Sequence, residues 1–188
     1  MIFETIITTQ SAEGRVHIAP MGIREENGSV ILAPFKPSTT LDNVIDSGCA
    51  VQNFCDDVRV FAGCISGAKR DWPTIAATAV AGVRLRDSLG HSELKLDRIE
   101  PDSQRPELYC KRVHNESHGA FRGFNRAQAA VIEGAVLISR LDRLAPEKID
   151  HEWDYLSIAI EKTAGPIERE AWHWLQEKLN EHRRVTRP

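Results

Sequence analysis

A chain of 188 residues, 41% hydrophobic and 27% charged, carries apolar material for one ordinary core, or for a core with a helical extension. Its net charge of −3 and pI near 6.2 exclude a strongly basic nucleic-acid surface. No apolar run reaches the length of a membrane span, since Glu133 interrupts the stretch Ala129–Ile138, and the start MIFETIITTQ lacks the basic flank and apolar core of a signal peptide. The expectation is a soluble cytoplasmic protein with neither a nucleic-acid nor a membrane partner. Cys49, Cys55, Cys64 and Cys110 form no CxxC pair and suit small buried thiols in a reducing compartment.

In chain order, residues 2–9 have the Ile, Thr and Phe content of a strand. A turn at Ala12–Gly14 precedes a second extended stretch, 15–24 (RVHIAPMGIR), with Val16, Ile18 and Pro20 on one face and His17, Ala19 and Met21 on the other. Pro20 donates no backbone hydrogen bond, which predicts an edge or a bulge there. Asn27-Gly28 is a tight-turn signal and Ser29–Ala33 returns, so residues 2–33 predict an antiparallel meander of three strands. Phe35–Phe54 follows. It opens with Lys36, Ser38, Thr39 and Thr40, continues as a short helix with Leu41, Val44 and Ile45 on one face, stops at Gly48 and ends in a strand over Cys49–Phe54. Val58–Ile65 suits another strand, or a short helix and strand, and residues 66–76 suit an irregular exposed segment. Val80–Arg86, Ser92–Ile99 and Leu108–His114 alternate as strands, with Asn115–Gly119 as a loop. Strands joined by short polar connections predict a closed or nearly closed antiparallel barrel.

The pattern changes after Gly123. Asn125, with Gln128 three residues on, resembles a capping box, and Ala127, Ala130, Val131, Gly134, Ile138 and Leu141 keep helical spacing to about Arg143. A second helix starts near Pro146 with Ile149, Trp153, Leu156 and Ile160 on one side; Gly165-Pro166 ends it and begins a third, with Ala171, Trp172, Leu175 and Leu179 inward. The fold class is therefore β-rich α+β, with a barrel over residues 1–122 and a bundle of about three helices over 123–188. His182, Arg183, Arg184 and Arg187 crowd the C-terminus, as a solvated basic helix end does.

Three places hold candidate chemistry. Hydroxyls and Lys36 before a helix suit a phosphate, because first-turn N–H groups lack partners and the helix dipole is positive there; the same residues also suit an ordinary loop and N-cap. Cys110, His114 and His118 are spaced by four and four, a metal pattern on a helix, but Leu108–His114 reads as a strand and no fourth ligand is near. Arg126 at a helix start either faces an anion or is solvated, and Asn125 caps. The chain contains no GxSxG, no Walker loop and no GxGxxG after a strand, and no residue stands out as a general acid or base, so the catalytic residues stay unassigned.

Four segments, ETIITT, HIAPMGIR, PFKPSTTLDNVIDSGCAVQNF and FRGFNRAQAAVIEGAVLISRL, resemble in that order an uncharacterised group of small flavoproteins in the FMN-binding split-barrel superfamily, related to flavin reductases and pyridoxamine-phosphate-oxidase-like proteins. They span roughly two-thirds of the chain, and FRGFNRA is the most specific of them. The resemblance implies a six-stranded antiparallel split barrel that forms a homodimer with FMN in a groove at the interface. It implies that the loop after the third strand, with Lys36, Ser38, Thr39 and Thr40, takes the phosphate. Pro20, Met21 and Gly22 would lie beside the isoalloxazine and Asn53 at the ring edge. Asn125 and Arg126 would come from the partner subunit or cover the pocket. The implied activity is that of a flavin reductase-like oxidoreductase with NAD(P)H or a pterin as small-molecule partner. The alternatives are a pyridoxamine-phosphate-oxidase-like enzyme and a non-catalytic flavin-binding or sensing protein, and a deazaflavin or heme is the alternative cofactor. The helical extension departs from simple flavin reductases.

Overall fold

The structure of the protein, a computed structural model, describes residues 1–186; Arg187 of the basic C-terminal group lies outside the described residues. The elements are β1 (Ile2–Gln10), β2 (Val16–Glu26), β3 (Ser29–Leu32), α1 (Thr39–Ser47), β4 (Cys49–Phe54), α2 (Arg59–Ser66), β5 (Thr74–Ala76), β6 (Val83–Leu85), β7 (Gly90–Glu100), β8 (Glu107–Ser117), α3 (Arg126–Ile138), α4 (Pro146–Thr163) and α5 (Pro166–Thr186). They gather into two compact units, one of residues 1–55 and 72–121, the other of residues 56–71 and 122 onward.

The first unit is a closed antiparallel barrel in the order β1-β2-β3-β8-β7-β4. Asn27 and Gly28 both take positive φ, 50° and 79°, which gives the β2–β3 hairpin a turn matched to the strand twist. The core inside the barrel is built from Ile7, Ile23, Val30, Leu32, Leu94, Leu108 and Cys110. Leu41 and Val44 of α1 join that core, and α1 packs against β1, β2 and β4. α1 forms where the sequence predicts it because both ends are capped locally. Ser38 Oγ accepts the Leu41 N–H, and Gly48 in the left-handed region (φ 69°) donates its N–H to the Val44 carbonyl. The small sheet β5–β6 lies outside the barrel ladder.

The strands differ greatly in length. β3 has four residues and pairs with β2 only at Arg24–Glu26. Over Val16–Ile23, β2 therefore has a strand on one side only, β1, among the described residues. This is the edge that Pro20 predicted, with Pro20 opposite Ile6 in an unbroken register.

The second unit is a helical bundle of α2, α3, α4 and α5 around Val131, Ile138, Trp153, Leu175 and Leu179. Val58, Ala62 and Ile65 pack into it with a spacing of four and three, which corrects the strand reading of Val58–Ile65: that spacing is the period of a helix. Segment 56–71 thus belongs with the helices that begin sixty residues later, and Arg59, held by Asp57 (2.7 Å) within the segment, ties it there through Glu170 (3.0 Å). Two further expectations shift. The strand expected over Val80–Arg86 shrinks to Val83–Leu85, because residues 78–80 turn to meet a side chain described below. The loop expected at Asn115–Gly119 is strand as far as Ser117, held by pairing to the start of β7 at Gly90.

Gly134 on α3 leaves room for the stacked pair Trp153 and Trp172, whose centroids are 4.1 Å apart; a Cβ at Gly134 would sit 2.8 Å from Trp172 and 3.4 Å from Leu175. We expect Gly134→Val to lower stability by about 1–3 kcal/mol through overpacking, read as a lower urea midpoint by tryptophan fluorescence. An unchanged midpoint would show that the bundle has slack at this point.

Candidate functional site

The α1 start and the half-paired strand β2 lie in the same unit, and α1 packs beside β2. The loop leading into α1 is fastened by the 102–105 turn. Lys36 N–H donates to the Gln104 carbonyl (2.8 Å), Lys36 Nζ to the Asp102 carbonyl (3.0 Å), and Arg105 Nε to the Ala33 carbonyl (2.9 Å). The Arg105 guanidinium also stands 4.6 Å over the Phe35 ring. Two cations are therefore tied to the loop that leads into a helix whose first N–H groups, those of Thr39 and Thr40, have no carbonyl partner within the helix. Lys36 and Thr39 are exposed, Ser38 is half-buried and Thr40 is buried. Ser38 Oγ accepts the Leu41 N–H at 3.2 Å, so its own hydroxyl hydrogen remains available to an anion. Pro20, Met21 and Gly22 are half-buried on the stretch of β2 that pairs with β1 alone, where Thr5 Oγ1 donates to the Met21 carbonyl (3.2 Å). The residues fit a flat ring with an anionic arm, because one unit presents both an extended backbone edge and a helix start with free N–H groups.

Asn53 is differently employed. Its amide is wholly buried, with Nδ2 donating to the Ile6 carbonyl (3.1 Å) and to Thr8 Oγ1 (3.2 Å) while Oδ1 accepts the Leu85 N–H (2.7 Å). The side chain expected at a ring edge is thus committed to fastening β6 to the barrel. Thr8 Oγ1 does the same toward the Val83 carbonyl (2.5 Å).

The largest of these anchors is Glu93, which sequence reasoning missed. Its side chain has no exposure, and the carboxylate accepts N–H groups from Thr78 (2.6 Å), Ala79 (2.5 Å) and Val80 (3.0 Å) as well as meeting His91 Nε2 (3.2 Å). Burial pushes the carboxyl up, but the backbone donors of Thr78 and Ala79, His91 and the Val80 N–H together hold it below its ordinary range. His91 Nδ1 in turn lies 2.9 Å from His118 Nε2. The available signal was the run Gly90–Glu93, polar on both faces of a strand whose next residue, Leu94, is core.

The candidate metal trio does not assemble. Cys110 points into the barrel core, its thiol pushed up to about 12 by burial and then by Asp97 and Cys49, whereas His114 and His118 group with His91. Both groupings of potential ligands depend on His91, and each of its ring nitrogens is already hydrogen-bonded. Asn125 belongs to the second unit, where it caps α3 by accepting the Ala127 N–H (2.7 Å) and the Gln128 N–H (3.3 Å) and donates to the Thr163 carbonyl (3.3 Å). Arg126 beside it is exposed. No disulfide occurs among the described residues, and no described helix is long and apolar enough to cross a membrane.

The chain belongs to the DUF447 family of proteins of unknown function: the model of its N-terminal domain matches residues 3–119, and a second DUF447 model matches residues 125–177. Among solved structures, the FMN-bound DUF447 protein MM1853 of Methanosarcina mazei superimposes with a TM-score of 0.81 at 18% identity, over 94% of each chain. The 2-nitrobenzoate 2-nitroreductase NbaA of Pseudomonas fluorescens gives a TM-score of 0.53 at 20% identity, over 61% of this chain and 64% of that one. Component B of the nitrilotriacetate monooxygenase of Bacillus cereus gives 0.52 at 17% identity, over 67% and 75%. No curated protein matches the sequence. These likenesses establish the fold as the flavin reductase-like split barrel with a helical extension.

Because the folded protein holds Glu93 as a carboxylate more strongly than the unfolded chain does, its stabilisation is complete above the ordinary value near 4.5 and is lost as pH falls through and below it. We expect acid unfolding to set in below about pH 4.5 in the wild type and Glu93→Gln to show a flatter dependence from an already lower stability. Parallel pH–stability curves for the two proteins would assign the acid sensitivity to other carboxylates.

Proposed function

We propose that this protein is an FMN-binding oxidoreductase of flavin reductase type, acting as a cytoplasmic homodimer. The observation that carries the reading is the combination of an anion-suited helix start with a half-strand that has a strand neighbour on one side only, in a barrel that matches the FMN-bound MM1853 over nearly its whole length. In this reading Lys36, Ser38, Thr39 and the first-turn N–H groups of α1 hold the phosphate, and the backbone of Pro20, Met21 and Gly22 faces the ring. Bound FMN would supply hydride-transfer chemistry, and the protein would supply orientation and a fixed electrostatic environment. NAD(P)H or a pterin is the proposed small-molecule partner.

What the barrel leaves uncovered supports the dimer reading. Ile2, Phe3, Val16 and Phe35, on or next to β1, β2 and the α1 loop, are 61%, 45%, 41% and 56% exposed. Exposed apolar side chains along this strand pair and its neighbouring loop suit a protein–protein contact. A second copy covering them would close over the open edge of β2. Free thiols in place of disulfides agree with a reducing compartment. Oxidation of NAD(P)H by the flavin-loaded protein separates the enzyme from a non-catalytic flavin binder.

The phosphate assignment is tested with two ligands. We expect the double variant Lys36→Glu/Thr39→Ala, which alters exposed side chains, to weaken FMN binding by at least about tenfold, since charge-assisted hydrogen bonds contribute about 1.5–3 kcal/mol each. Riboflavin, which lacks the phosphate, should bind both proteins equally. Equal FMN affinity in the two proteins would move the phosphate away from α1, and a wild type that retains no flavin absorbance after desalting would remove the reading.

A further inference from the structure

We propose that Glu93, His91 and His118 form a proton relay that makes the exposed His118 a general base and acid at the barrel surface, exchanging a proton with an O–H or N–H group of a bound small molecule. The relay uses none of the residues assigned to the flavin and does not depend on that assignment.

The direction of the relay follows from donor counting. Three backbone N–H groups and His91 converge on the Glu93 carboxylate, an arrangement that favours the anion. An ionised carboxylate only accepts, so His91 Nε2 carries the proton at that contact. A neutral imidazole has one N–H, so His91 Nδ1 is a lone pair, and His118 Nε2, 2.9 Å away, is its donor. That leaves the lone pair of His118 Nδ1 as the outer end, on an exposed residue. His91 itself is 1% exposed, so solvent does not compete for its nitrogens.

Ring geometry supports a hydrogen bond. The planes of His91 and His118 are 13° apart with centroids at 5.0 Å, close to the largest separation a 2.9 Å nitrogen–nitrogen contact permits. The rings therefore lie edge to edge with their lone-pair axes directed at each other. A metal ion needs about 2.0–2.1 Å to each nitrogen and has no place on that line.

Proton flow is then simple. A proton taken at His118 Nδ1 releases the Nε2 proton to His91 Nδ1, and the positive charge comes to rest on His91 beside the Glu93 carboxylate, 3.2 Å away. One proton enters, no electron moves, and the reverse order returns it. His118 is the group that touches the ligand; His91 and Glu93 are positioning residues. The charged and titratable groups facing the pair are Arg84 on β6, Glu116 and His114 on β8, and Glu93 on β7. Burial and then Arg84 hold the His118 imidazolium below its ordinary range, Glu116 opposes them, and a charged His91 would add to them. A neutral His91 that accepts a hydrogen bond works in the opposite direction, and this is the quantity the test isolates.

The test is long-range proton–nitrogen NMR of the histidines in the full-length protein across pH. In the wild type at neutral pH we expect His91 to be protonated at Nε2 and bare at Nδ1, and in His91→Phe we expect the His118 midpoint to fall by about one pH unit, a tenfold weaker proton affinity. A midpoint that is unmoved or raised would overturn the relay, because a merely structural His91 would leave His118 titrating as before. The wild-type tautomer decides the matter if His91→Phe does not fold: a proton on His91 Nδ1 would reverse the donor order and exclude the relay. Stoichiometric Zn²⁺ that shifts both His91 and His118 would make the pair a metal site and would equally reject it.

Discussion

Buried backbone N–H and C=O groups must find partners, and in this barrel the strands cannot supply all of them. β3 is four residues long beside an eleven-residue β2, and the β5–β6 hairpin stands outside the ladder. The hairpin's groups are met by side chains on the barrel wall: Glu93 takes three N–H groups, Asn53 a fourth, and Thr8 a carbonyl. Leaving any one of these unmade costs about 1–3 kcal/mol. A barrel face that would ordinarily be apolar therefore carries buried polar residues, and segment 74–88 is held by hydrogen bonds more than by apolar packing.

The same constraint, left unmet elsewhere, creates the candidate ligand site. Where β3 ends, the chain turns aside into the 33–38 loop and α1, leaving β2 with one strand neighbour over Val16–Ile23. α1 sends Leu41 and Val44 into the core, which fixes the helix, and the loop at its capped start is fastened by Lys36 and Arg105. Fold and candidate site share one cause: the helix that completes the core carries its positive dipole end in the same unit as the open strand edge.

Glu93 shows how a single buried charge serves two purposes. Isolated, a carboxylate with no exposure would be neutralised at a cost of several kcal/mol; three backbone donors and a histidine keep it ionised. Once ionised, it orients His91 and through it His118. The anchor that holds the hairpin is thus also the source of a fixed negative potential beneath an exposed imidazole.

What the sequence by itself determined is what depends on neighbours in the chain. Ser38 and Gly48 bracket α1, Asn27-Gly28 turns the meander, Asn125 and Pro146 start their helices, and Pro20 marks the strand edge. Each acts within about four residues, through caps, turn dihedrals or a missing donor, so the pattern is visible in one dimension. Three facts were decided only by the tertiary structure. Glu93 reaches backbone groups thirteen to fifteen positions away, His91 meets His118 twenty-seven positions on, and Asn53 is drawn to Leu85 across thirty-two. Segment 56–71 joins helices that begin past residue 122 for the same reason. A buried polar side chain is defined by the partner that satisfies it, and that partner exists only once the barrel has closed.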